Sequence, residues 1–165
     1  MHTTNPKPLI QQALEILEAI RNNYPEGDFD REMLHGDMDF RYKKIHELRR
    51  RLDDLPEAVR RFAVCVEALP VDKDVLLKLM RWLQEKPGTF SQVAAGGSQA
   101  VRDRAAAVAQ AMGVRSCDLQ QVLFRLRLAG ILTGTYELSE VYRPVASDFV
   151  GLAEPREGES GYQER

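Results

Sequence analysis

The chain reads as mainly α-helical, in two parts. A helical hairpin or three-helix region comes first, followed by a helix-turn-helix with a small β-hairpin after it. Three observations carry that reading. Apolar residues recur at helical spacing through most of the chain up to residue 129. Proline and glycine fall where those periodic stretches end, at Pro56, Pro70, Pro87-Gly88, Gly113 and Gly130. Apart from the short run Thr89–Val93, extended character is confined to the stretch after Gly130.

Asn5-Pro6 suits a cap and a first-turn proline, and Ile10, Ala13, Leu14, Leu17, Ile20 and Tyr24 then follow helical spacing to about residue 23. Tyr24-Pro25-Glu26-Gly27-Asp28 breaks that helix. A second runs from about 30 to 54. Its seam of Leu34, Met38, Ile45, Leu48, Leu52 and Leu55 has near-heptad spacing, so it calls for a partner helix and makes a homodimer an expectation. Gly36 weakens its first part, which moves the expected start toward Asp37. Pro56 opens a third helix with Val59, Phe62, Ala63, Val66 and Leu69 on one face. These elements make up an N-terminal region over 1–70.

The second region spans 71–150. Asp72 is the expected cap of a helix through Lys86 with Leu76, Leu79, Met80 and Leu83 inward. Thr89–Val93 reads as a short strand. Ser98 is the expected cap of a helix over 99–112, with Gly113 as its left-handed stop. Ser116 is the expected cap of the next, over 117–129, with Leu119, Val122, Leu123 and Leu126 inward and Gly130 as its stop. Ile131–Leu138 and Val141–Val145 read as the two strands of a hairpin joined by Ser139-Glu140. Residues 151–165 are a polar tail, expected to be disordered.

Composition narrows the class of function. At 165 residues and 44% hydrophobic, the chain can bury a core. No run approaches the ~18 apolar residues of a membrane span, and MHTTNPKP does not open like a signal peptide. A cytoplasmic protein without membrane association follows as the expectation. Cys65 and Cys117 sit among apolar neighbours and are expected to be buried free thiols. The net charge of −2 is unevenly spread. Residues 71–145, with 10 Lys/Arg against 7 Asp/Glu, are mildly basic, and residues 41–61 carry eight Lys/Arg against four acids.

Residues 105–132, AAAVAQAMGVRSCDLQQVLFRLRLAGIL, hold the most specific pattern: a helix, a sharp turn at Gly113-Val114, a second helix and a stop. Gly113-Val114-Arg115-Ser116, then Leu119, Leu123, Leu126 and Ala129-Gly130-Ile131-Leu132, resembles the winged helix-turn-helix of bacterial regulators of the MarR and GntR kind. The resemblance covers about residues 72–146. It implies a winged helix-turn-helix fold and a DNA-binding transcriptional regulator whose second helix reads bases while the wing touches the backbone. On this chain the reading face would hold Arg115, Ser116, Asp118, Gln120, Gln121 and Arg125. Arg102, Arg104, Arg127 and Arg143 would be backbone contacts. Gln pairs bidentately with adenine and Arg with guanine, so the chemistry is present.

Other features favour a protein partner. Cys117, Phe124 and Leu128 share the outer side of that helix with Gln121, and an apolar stripe there suits docking to protein. The expected wing tip, Ser139-Glu140, carries no cation, and Glu137 would repel phosphate. The alternative expectation is therefore an adaptor subunit that docks through Cys117, Phe124 and Leu128.

Remaining constellations read as surface. His35, Asp37 and Asp39 supply at most two metal ligands on one helix face, and His46 lies too far along to complete them. Gly96-Gly97-Ser98 could offer backbone N–H groups to an anion but lacks the spacing and lysine of a phosphate loop. Lys43, Lys44, Arg49, Arg50, Arg51, Arg60 and Arg61 point around their helices rather than at one ligand. Trp82 belongs with the core. No nucleophile lies in a recognisable catalytic setting, so no enzyme and no cofactor are expected.

Overall fold

The computed structural model describes residues 7–24 and 37–153. Every regular element among them is helical, and they fall into two compact units, Met1–Glu67 and Ala68–Arg165.

In the first unit, α1 (Leu9–Asn23) and α2 (Asp37–Asp53) pack on one another, and α3 (Glu57–Ala68) completes the set. Helix α1 buries Ile10, Ala13, Leu14, Ile16 and Ile20. Helix α2 buries Ile45, Leu48 and Leu52, and α3 buries Val59, Phe62, Ala63 and Val66. The α2 seam read from the sequence thus finds its partner in α1 of the same chain. The Arg21 guanidinium reaches the Glu67 carboxylate at 3.1 Å, tying α1 to α3. The Asn5-Pro6 start, the 30–36 opening of the second helix, His35 and the tail from residue 154 lie outside the described residues. Asp39, the other end of the sequence's metal string, is exposed.

The second unit begins with α4 (Lys73–Glu85), whose Leu76, Leu79, Met80 and Leu83 face its core. A single turn, α5 (Ser91–Ala94), leads into α6 (Ser98–Met112) and α7 (Ser116–Leu128). A 3-10 turn over Glu140–Tyr142 then runs into α8 (Arg143–Gly151). Helix α6 packs on α5 and α7, and α4 packs on α7 and α8. Phe90, Leu119, Val122, Leu126, Ile131 and Phe149 are almost completely buried at the centre.

The β-hairpin is corrected. Residues 131–138 fold back on themselves through one antiparallel bridge, Leu132 to Leu138. Within the turn, the Thr133 hydroxyl accepts from the N–H groups of Thr135 and Glu137 at 3.4 and 3.2 Å. That local bonding competes with a strand ladder. The expected second strand, Val141–Val145, is instead the 3-10 turn and the start of α8. Pro144 stands in the first turn of α8, where its missing N–H costs nothing and its fixed φ favours helix.

Three smaller expectations are also corrected. Thr89–Val93 is turn and helix rather than strand, with Thr89 N–H on the Lys86 carbonyl at 3.2 Å. Neither Ser98 nor Ser116 is a cap residue. Each is the first residue of its helix, and Gly97 (φ 91°) and Arg115 occupy the cap positions. Cys117 is exposed, because it lies opposite the buried side of α7, and Cys65 is half-buried.

Candidate nucleic-acid interface

The candidate site centres on the junction between α6 and α7. Gly113 ends α6 in the left-handed region at φ 71°, which glycine adopts without strain. Its N–H bonds to the Gln110 carbonyl at 3.2 Å, and Val114 N–H reaches back to Ala109 at 2.9 Å. This pair of bonds is a Schellman closure, which satisfies carbonyls the helix leaves open. The Lys78 ammonium, 3.4 Å from the Met112 carbonyl, supports the same end from α4. Helix α7 ends in the same way. Gly130 (φ 78°) bonds to Arg127 at 3.0 Å, and Ile131 N–H bonds to Leu126 at 3.0 Å.

Between these two closures, α7 divides by burial. Leu119, Val122, Leu123 and Leu126 are buried, and Cys117, Gln121, Phe124, Arg125 and Leu128 are exposed. Arg115, at the cap position, is also exposed. Ser116 is half-buried, and its hydroxyl accepts from the Gln120 side-chain amide at 3.0 Å, holding Gln120 along the helix. Phe124 is 55% exposed and Leu128 71%.

A groove of about 440 Å³ runs between α6 and α7. Val101, Ala105, Leu123 and Phe124 supply its apolar part, and Arg102, Gln120, Gln121 and Arg127 its polar part. No carboxylate lines it. Tyr136 closes one end, with the Arg127 guanidinium 5.1 Å from its ring centre and donating to its hydroxyl at 3.1 Å. Tyr136 holds a left-handed backbone (φ 64°), a conformation that costs a bulky residue of order 1–2 kcal/mol. It also meets Phe90, at 6.4 Å between ring centres.

The structure therefore gathers part of the expected set. Arg102, Gln120, Gln121 and Arg127 share the groove, and Arg115 and Arg125 lie exposed on α7. Two expected backbone contacts point elsewhere. Arg104 donates to the Thr89 carbonyl at 3.5 Å, in a separate cleft beside Trp82 and Lys86. Arg143 donates to the Leu138 carbonyl at 3.3 Å. Sequence reasoning missed Tyr136 and Val101. Thr133-Gly134-Thr135 signalled a turn just before Tyr136, whereas nothing in the residue order announced the positive φ.

No protein-family model, curated protein or solved structure matches this chain. No helix among the described residues is long and apolar enough to cross a membrane. No cluster of three or more metal-ligating side chains occurs among them.

Proposed function

We propose that this chain is a non-enzymatic, DNA-binding transcriptional regulator that offers α7 to the major groove of duplex DNA. The observation that carries the reading is the exposure of Gln121 and Arg125 side by side on α7, with Arg115 exposed at its N-terminal cap position and the helix closed at its C-terminal end by Gly130 and Ile131. Gln121 has the donor and acceptor an adenine edge requires, and Arg115 and Arg125 have the fork that guanine accepts. Arg102 and Arg127 flank the same face for phosphate. The sequence of α6, α7 and their junction resembles the winged helix-turn-helix of MarR- and GntR-type regulators, and the 131–138 turn would stand in place of the wing. A homodimer would set two α7 helices about one DNA turn apart. Ile45, Leu48 and Leu52 are buried within their own chain, so a second copy would use another surface.

The test is duplex binding by the full chain and by Gln121→Ala and Arg125→Ala. Each loss of a bidentate contact is expected to weaken specific binding by about 1–3 kcal/mol, with helicity unchanged. Affinity unaltered in both variants would remove α7 as the reading helix.

A second reading has its own observation, the exposure of Phe124 and Leu128 beside the exposed Cys117. On that reading the chain is an adaptor subunit docking a protein partner through these residues. Phe124→Asp would then break a complex that Gln121→Ala and Arg125→Ala leave intact.

A further inference from the structure

Phe124 stands at the edge of the proposed reading face, next to Gln121, and the Arg and Gln chemistry gives it no task. With 3.6 residues per turn, Gln121 lies between Phe124 and Arg125 around α7, roughly 60° from the first and 40° from the second. The buried Leu119, Val122 and Leu126 occupy the other side, and Phe124 is 55% exposed. Its surroundings are cationic. Arg102 and Arg127 line the groove with it, Arg125 follows it on the helix, and Asp118 is the sole carboxylate of α7. An apolar protein patch would have to desolvate those guanidinium groups, whereas a polyanionic duplex pairs with them.

In the major groove one base feature offers an apolar contact, the 5-methyl group of thymine. From Gln121 to Phe124 the helix advances about 4.5 Å, a little more than one base-pair step of about 3.4 Å. A helix lying along the groove therefore addresses neighbouring base pairs with these two side chains. Resting on the DNA-binding reading above, we propose that Phe124 reads a thymine methyl next to an adenine held by Gln121. The preferred duplex then carries adjacent A·T pairs under the middle of α7. The same contact removes the exposed ring from water, so the residue that looks least suited to DNA sets its sequence preference.

The experiment selects duplexes from a random pool with the full chain. Affinity is then measured for the selected duplex and for copies with one thymine at a time replaced by deoxyuridine, which lacks only the methyl group. Loss of one buried methyl is expected to weaken the wild type about fourfold at one position. Phe124→Ala is expected to bind the thymine and deoxyuridine duplexes equally, and Phe124→Leu to keep part of the difference. Gln121→Ala is expected to lose the adenine preference next door and keep the methyl sensitivity. Because Phe124 is exposed, these variants leave the core untouched. A wild type indifferent to every replacement overturns the thymine contact and leaves DNA binding standing, as does a Phe124→Ala as sensitive as the wild type. No duplex binding at low salt overturns both.

Discussion

Val114 N–H donates to the Ala109 carbonyl at 2.9 Å, and this one bond spans the corner between α6 and α7. It requires Gly113, one residue earlier, at φ 71°. Gly113 thereby fixes how the groove and the exposed row of α7 are set against each other.

Gly113→Ala should therefore destabilise the fold by about 1–2 kcal/mol through backbone strain. No neighbouring atom lies within 4 Å of where a Cβ would sit, so crowding adds nothing. Gly113→Asn should lose less, because asparagine tolerates the left-handed region. Urea denaturation of the three proteins checks the order, and equal midpoints would contradict the strained turn.

Thr89 is the buried polar residue beside the single tryptophan of the sequence. Its hydroxyl accepts from the Trp82 indole N–H at 3.0 Å and donates to the Lys86 carbonyl at 2.7 Å. Thr89→Val keeps the shape and deletes both bonds, for an expected loss of about 1–3 kcal/mol. Trp82 fluorescence reads the local change directly. An unaltered spectrum together with unaltered stability would show that the pair contributes nothing.

Across α7, burial predicts opposite responses to truncation. Leu119 is fully buried, so Leu119→Ala should cost about 2–5 kcal/mol. Phe124→Ala removes an exposed ring and should stay within about 0.5 kcal/mol of wild type. Thermal unfolding of the two variants separates them. A large loss at Phe124 would mean that the ring is covered in solution.

Arg127 is held against Tyr136 by both its ring and its hydroxyl. Tyr136→Phe keeps the ring and removes the acceptor, so stability should fall by less than about 1 kcal/mol. Tyr136→Ala removes both contacts and keeps the positive φ, and should cost more. Denaturant midpoints rank the two, and a reversed order would place the stabilisation elsewhere.

The helices were legible because their signals are local and repeated. Leu76, Leu79, Met80 and Leu83 mark α4 by spacing alone, and Gly113 and Gly130 stop α6 and α7 where a glycine is wanted. Caps were less legible. Ser98 and Ser116 have the right chemistry for a cap, yet each falls one residue inside its helix, and Ser116 bonds to Gln120 instead. The hairpin failed for a related reason. Thr133, Tyr136, Val141, Tyr142 and Val145 have β-forming side chains, but a threonine-centred turn and Pro144 settle the backbone first.

On the candidate interface, the exposed positions of α7 followed from helical periodicity, since Leu119, Val122 and Leu126 define the side that must be inside. The fates of Arg104 and Arg143 did not. Each is drawn to a backbone carbonyl, of Thr89 and of Leu138, that folding alone brings near. Tyr136 was hidden for the same reason, because its place beside Arg127 depends on the turn at 133–137.

The most direct measurement of the central proposal is binding of the full chain to random duplex DNA at ~50 and ~200 mM salt. Phosphate neutralisation by Arg102 and Arg127 predicts an affinity that falls on the order of tenfold between the two conditions. A fall of that size, reduced in Arg102→Ala, supports an interface on α6 and α7. No binding at the lower salt, or binding indifferent to salt, would contradict the account and turn attention to a protein partner for Phe124 and Leu128.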